Sequence, residues 1–152
     1  MMNLNQVDKI WRDFAEQNKL QLEVIDKNYF HGIKTQYFIT VSSSSPKIVL
    51  QGLLNKNGQG YNLYKTKISI TNKGTDNYAF NEVVDKRLFG LFKNSYKDLK
   101  QKEFLSLLRK YGAKKLRIEN NEKVLEFEYI FNSQKDFKKI KNIIDDIIKA
   151  SA

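Results

Sequence analysis

The chain has 152 residues, 41% of them apolar and 29% charged, long enough for one domain to bury roughly 68–70% of the surface its unfolded form exposes. It has no Cys and a single His, which excludes disulfides, thiolate nucleophiles, iron–sulfur clusters and metal sites built on several Cys or His ligands. The net charge is +10, a balance that suits an acidic partner or an anionic surface.

The first stretch, "MMNLNQVDKIWRDF", carries Asp8, Lys9, Arg12 and Asp13 where a signal peptide needs an unbroken apolar run. No apolar run approaches the ~18–20 residues of a membrane span. A Cys-free chain of this kind is expected to be soluble, without a transmembrane segment, and at home in a reducing cytoplasm. Residues 4–17 read as a helix, because Leu4, Val7, Ile10, Trp11 and Phe14 recur on one face. Asn3 or Asn5 supplies the cap, and Asn3 with Gln6 has the spacing of a capping box.

Strand-like runs follow. "LQLEVID" (20–26) alternates Leu20, Leu22 and Val24 with polar neighbours, and "TQYFITVS" (35–42) and "KIVLQGLL" (47–54) are rich in β-branched and aromatic residues. "SSSSP" between the last two reads as a hairpin loop. "NKNGQG" (55–60) turns into "YNLYKTKISI" (61–70), and "TNKGTDN" (71–77) is another loop. Short connections make these four strands an antiparallel meander, since parallel pairs need long crossovers.

The pattern then changes. Phe80, Val83, Val84 and Leu88 have helical spacing over 79–89, with Gly90 in the position that ends a helix; a strand over part of this region is the competing reading. Asp98 and Gln101 open a second helix, with Phe104, Leu107, Leu108 and Tyr111 as its stripe and Gly112 as its end. Residues 114–131 read as a hairpin about "NNEK". Closing it on Asn121-Glu122 sets Arg117 opposite Glu126 and Lys115 opposite Glu128, whereas closing it on Asn120-Asn121 sets Lys115 opposite Glu126. Either register pairs charges on one face and leaves the other apolar. Ser133 and Asp136 begin a last helix over about 134–149, whose stripe of Phe137, Ile140, Ile143, Ile144, Ile147 and Ile148 calls for burial.

The sum is an α+β fold in a single domain, residues 1–152. An antiparallel sheet of about six strands, a meander plus a C-terminal hairpin, carries N-terminal, middle and long C-terminal helices on one face. In element order alone this resembles the helix-grip architecture, in which a long C-terminal helix lies across a curved sheet; the middle helices depart from it.

Catalytic chemistry finds little to work with. His31 reads as a turn or surface residue. "NGQGYNLYK" lacks the third Gly of a dinucleotide loop and the GK[ST] of a phosphate loop, so it reads as a hairpin turn. Asp145 and Asp146 point about 100° apart on a helix. Glu126 and Glu128 are more simply salt-bridge partners than an acid/base pair. No catalytic residue, metal or cofactor is expected.

The charge distribution is more telling. Residues 1–63 hold seven basic and five acidic groups, 64–117 fourteen and five, and 118–152 six and seven. The excess thus falls in the middle third, where "KRLFGLFKNSYKDLK" (86–100) threads aromatics between lysines. Lys86, Arg87, Lys93, Lys97, Lys100, Arg109, Lys110 and Lys114, with Phe92 and Tyr96, form a candidate anion-binding surface for nucleic acid or anionic lipid. With Lys outnumbering Arg 23 to 4, such contact would be loose and sequence-independent. The leading expectation is a small non-catalytic binding or accessory domain with a protein partner or a second copy of itself. The alternatives are the anion-binding module and a carrier of an apolar small molecule between sheet and C-terminal helix.

Overall fold

The computed structural model describes residues 3–29, 32–57, 62–74, 78–86 and 98–152. Helix α1 (Leu4–Gln17) starts at Asn3, whose side chain accepts from the N–H groups of Asn5 and Gln6. The meander follows as β1 (Gln21–Tyr29), β2 (Gly32–Ser42), β3 (Lys47–Asn57) and β4 (Asn62–Thr71). Then come β5 (Glu82–Val84), α2 (Leu99–Tyr111), the hairpin β6 (Lys115–Glu119) and β7 (Glu122–Phe127), and finally α3 (Gln134–Lys138) and α4 (Ile140–Ala150). The strands form one antiparallel sheet of seven in the order β1-β2-β3-β4-β7-β6-β5.

Alternation along each strand gives the sheet an apolar face. Leu22, Ile39, Leu50, Ile68, Leu125, Leu116 and Val83 are successive cross-strand neighbours, one from every strand. Tyr37, Gly52, Thr66 and Phe127 form a parallel row on the same face. In the row on the other side, Ile48, Ile70 and Ile118 flank Lys123, which is only 1% exposed and holds its ammonium 5.9 Å from the centre of the Tyr78 ring.

The helices cover this face. Trp11 of α1 is fully buried, stacks on Tyr37 with centroids 5.3 Å apart and donates its indole N–H to the Phe131 carbonyl at 2.9 Å. Gly52 makes room for it: a Cβ there would lie 2.6 Å from the indole ring. Thr66 fastens the segment after β7 across the same face, donating to the Tyr129 carbonyl and accepting from the Phe131 N–H, both at 2.9 Å. Helix α2 is capped by Asp98, ends on Gly112 at φ 72, and is tied to α4 by hydrogen bonds from Tyr111 and Lys110 to Asp146.

The structure corrects some sequence expectations and chooses between the two hairpin registers. The 79–89 helix is instead a strand over Glu82–Val84, the seventh of the sheet. β-branched Val83 and Val84 favour it, Val83 completes the apolar row beside Leu116, and the strand covers the outer edge of β6; Leu88 and Gly90 lie outside the described residues. The hairpin turns on Asn120-Asn121, so Lys115 faces Glu126 while Arg117 faces Val124, not Glu126; Asn120 takes φ 55, a left-handed conformation that Asn tolerates. Strand β7 ends at Phe127 and leaves Glu128 exposed beyond it.

The last helix is interrupted at Lys139. That ammonium sits 5.1, 5.3 and 5.2 Å from the ring centres of Phe127, Tyr129 and Phe131 and donates to the Tyr129 hydroxyl at 2.6 Å, a cation–π cage. Ile148 is 38% exposed, because it lies about 100° round the helix from buried Ile147.

Candidate functional site

Two half-buried side chains of α1, Ile10 and Phe14, flank the buried line of that helix and pack against the core. With Phe137 of α3, Ile140 and Ile144 of α4, Leu20 and Val41 they line a groove of about 540 Å³. Spacing explains the arrangement. Val7, Trp11 and Ala15 are the buried positions of α1, so Ile10 and Phe14 flank that line and turn toward α3 and α4. The Phe14 and Phe137 rings meet with centroids 4.6 Å apart and form the floor. Val41 joins them at the end of β2, where the ladder to β3 shifts register between Thr40 and Ser42.

The rim is polar. Along α3 and α4 it is Gln134, Lys138, Lys141 and Asp145; along α1 it is Asp13 and Gln17, with Asn18 at the helix end. Asp13 is held by Lys9 at 2.6 Å, and Asn18 donates its amide to the Phe14 carbonyl at 2.8 Å. Among the described residues no ion pair or side-chain hydrogen bond engages Lys138, Lys141 or Asp145. The rim therefore presents both signs of charge to whatever enters. Trp11 is packed edge-on against Phe137 at 5.2 Å, so the only Trp of the chain is one ring away from the groove.

Near the groove, Tyr37 donates to Asp8 at 3.0 Å, and the second Asp8 oxygen takes Arg12 at 2.8 Å. Burial, followed by that hydrogen bond, pushes the Tyr37 phenol well above its ordinary value, so it stays a protonated structural donor. The Asp146 carboxyl is held below its ordinary value, first by the Tyr111 hydrogen bond and then by that of Lys110.

The basic residues singled out in the sequence are partly placed. Arg87, Phe92, Lys93, Tyr96 and Lys97 lie outside the described residues, as does His31. Lys100 donates to the Ala150 carbonyl at 2.6 Å and stands 3.4 Å from Glu103. Arg109 stands 3.9 Å from Asp85, and Lys110 is 2.9 Å from Asp146. Lys86 and Lys114 come together because the Asp85 N–H donates to the Lys114 carbonyl at 2.9 Å. Arg109 and Lys110 lie in the last turn of α2, with Lys100 roughly 13 Å away at its start, and Lys100, Arg109 and Lys110 already face internal acceptors.

The groove was hidden in the sequence, where Ile10, Phe14, Phe137, Ile140 and Ile144 read simply as core. The one available signal was the width of the α1 stripe, broader than a single line of sheet contacts needs. No described helix is long and apolar enough to cross a membrane. Compared with family models, curated proteins and solved structures, the chain matches none.

Proposed function

We propose that the protein is a non-catalytic binding domain that holds a small apolar molecule in the groove between α1 and α3–α4. The observation that carries this reading is the groove itself. Its volume of about 540 Å³ falls within the roughly 300–1,000 Å³ of small-molecule sites, and its floor of aromatic and branched side chains lies under a polar rim. The ligand class that fits has an apolar body and a polar end reaching Lys138, Lys141 or Asp145.

Trp11 gives a direct test. Titration with dodecanoate or with anilinonaphthalene sulfonate should change Trp11 emission through Phe137. Val41→Trp, which fills part of the groove, should weaken probe binding by about tenfold or more while leaving the far-UV circular dichroism unchanged; the new indole makes dye fluorescence the readout for that variant. Absence of binding by either probe, or equal binding by the filled variant, overturns the proposal. The anion-binding alternative rests on the positive excess of residues 64–117 and predicts instead oligonucleotide or anionic-vesicle binding that falls steeply with salt.

A further inference from the structure

The two ends of the sheet are unlike. β5 is a three-residue edge, short enough to offer little. β1, at the other end, is nine residues long, and among the described residues no strand pairs with the N–H and C=O groups that alternate along its outer side. Its pairing with β2 runs without a bulge from Gln21 to Tyr29, and it contains no Pro. Its edge defences are charges: Glu23 and Lys27 on the face away from the helices and Asp26 on the helix side.

The charges on this edge are poorly matched within one molecule. Glu23, Ile25 and Lys27 project from the face opposite the helices. Lys27 is directly across from Lys34 of β2, and Glu23 is across from Phe38. Like charges opposed across strands are destabilising. Among the described residues neither Glu23 nor Lys27 has an ion-pair partner.

We infer that β1 is a self-association edge, pairing antiparallel with β1 of a second copy of this chain about a two-fold axis at Ile25. On the face away from the helices Glu23 and Lys27 stand symmetrically about that residue, while on the other face this register sets Val24 against Asp26. In this register each Glu23 lies opposite the other copy's Lys27, twice over, and Ile25 packs on its own mate. Each Lys27 then gains an acid to offset Lys34. The neighbouring two-fold registers lose this match: centring on Val24 sets Glu23 against Ile25, and centring on Asp26 sets that carboxylate against itself. The result is a continuous sheet of two seven-stranded halves with both helical layers on one side. A single-strand interface is small, so the dimer is a weak one. This inference is independent of the groove.

Sedimentation velocity up to concentrations on the order of 100 µM should show a monomer–dimer equilibrium. Glu23→Lys should raise the dissociation constant roughly tenfold through its two symmetric pairs, and adding Lys27→Glu should restore it. Because the chain has no Cys, Ile25→Cys gives each copy one thiol. Directly opposed residues have Cα atoms about 4.5–5.5 Å apart, within disulfide reach, so mild oxidation should yield a covalent dimer. Glu23→Cys, four residues out of register with itself, should not cross-link. A protein monomeric throughout, or a dimer indifferent to both charge reversal and Ile25→Cys oxidation, overturns the inference.

Discussion

Glu126 shows how one residue joins two parts of the chain. It sits on the sheet face away from the helices, opposite Lys67 of β4 and Lys115 of β6, and accepts a 2.5 Å hydrogen bond from Lys65. Burial alone would raise its pKa, but the Lys65 hydrogen bond and charge, with Lys115 and Lys67, hold the carboxyl below its ordinary value. A lowered folded-state pKa contributes stability that is complete above the unfolded value, near 4.3, and is lost as pH falls through the folded value. The advantage of the wild type over Glu126→Gln should therefore be constant near neutrality and shrink below about pH 4. Urea midpoints of both proteins at several pH values test this, and a gap that stays constant into acid would refute it. The sequence disclosed that Glu126 faces a basic residue of β6, Arg117 in one hairpin register and Lys115 in the other. It did not disclose Lys65, because a partner on β4 depends on how the hairpin docks on the meander.

Elements with a strong local signal were readable: the caps at Asn3, Asp98 and Ser133, the Gly112 terminus and the four meander strands all follow from neighbours in the chain. Elements decided by tertiary contact were not. The three residues of β5 take strand form because β6 offers a free edge, overriding the helical spacing of Phe80, Val83 and Val84. The interruption at Lys139 depends on three rings contributed from β7 and the segment after it. The C-terminal stripe likewise divides only when packed. Ile143 is fully buried, whereas Ile148 is half exposed. Ile143→Ala should cost about 2–5 kcal/mol, and Ile148→Ala should stay within about 0.5 kcal/mol, as measured by chemical denaturation. Equal losses at the two positions would contradict this packing of α4.

At the scale of the whole molecule, Trp11 touches every layer. It is carried by α1, lies on Gly52 and Tyr37 of the sheet, donates to Phe131 and abuts Phe137 of α3. A single core of this kind should unfold in one cooperative transition. Trp11 emission and far-UV circular dichroism should then give coincident urea curves; an earlier fluorescence transition would mean that α1 detaches on its own. The α+β layering with helices on one face was legible from the order of elements. The groove was not, since it lies beside the contact of Phe14 with Phe137, and no periodicity records a space between helices distant in sequence.

The strand order carries a consequence in time. β1 to β4 follow one another with short connections, and so do β6 and β7, whereas the ladder that joins the two groups pairs Thr66–Thr71 with Glu122–Phe127. Even the nearest partners of that seam, Thr71 and Glu122, are roughly fifty residues apart, a closure whose length-dependent entropy is roughly 3–4 kcal/mol. The sheet is thus two locally assembled pieces sewn by one long-range seam. Until the seam closes, β4 and β7 are both open edges, and Thr66 has neither Tyr129 nor Phe131 to hold.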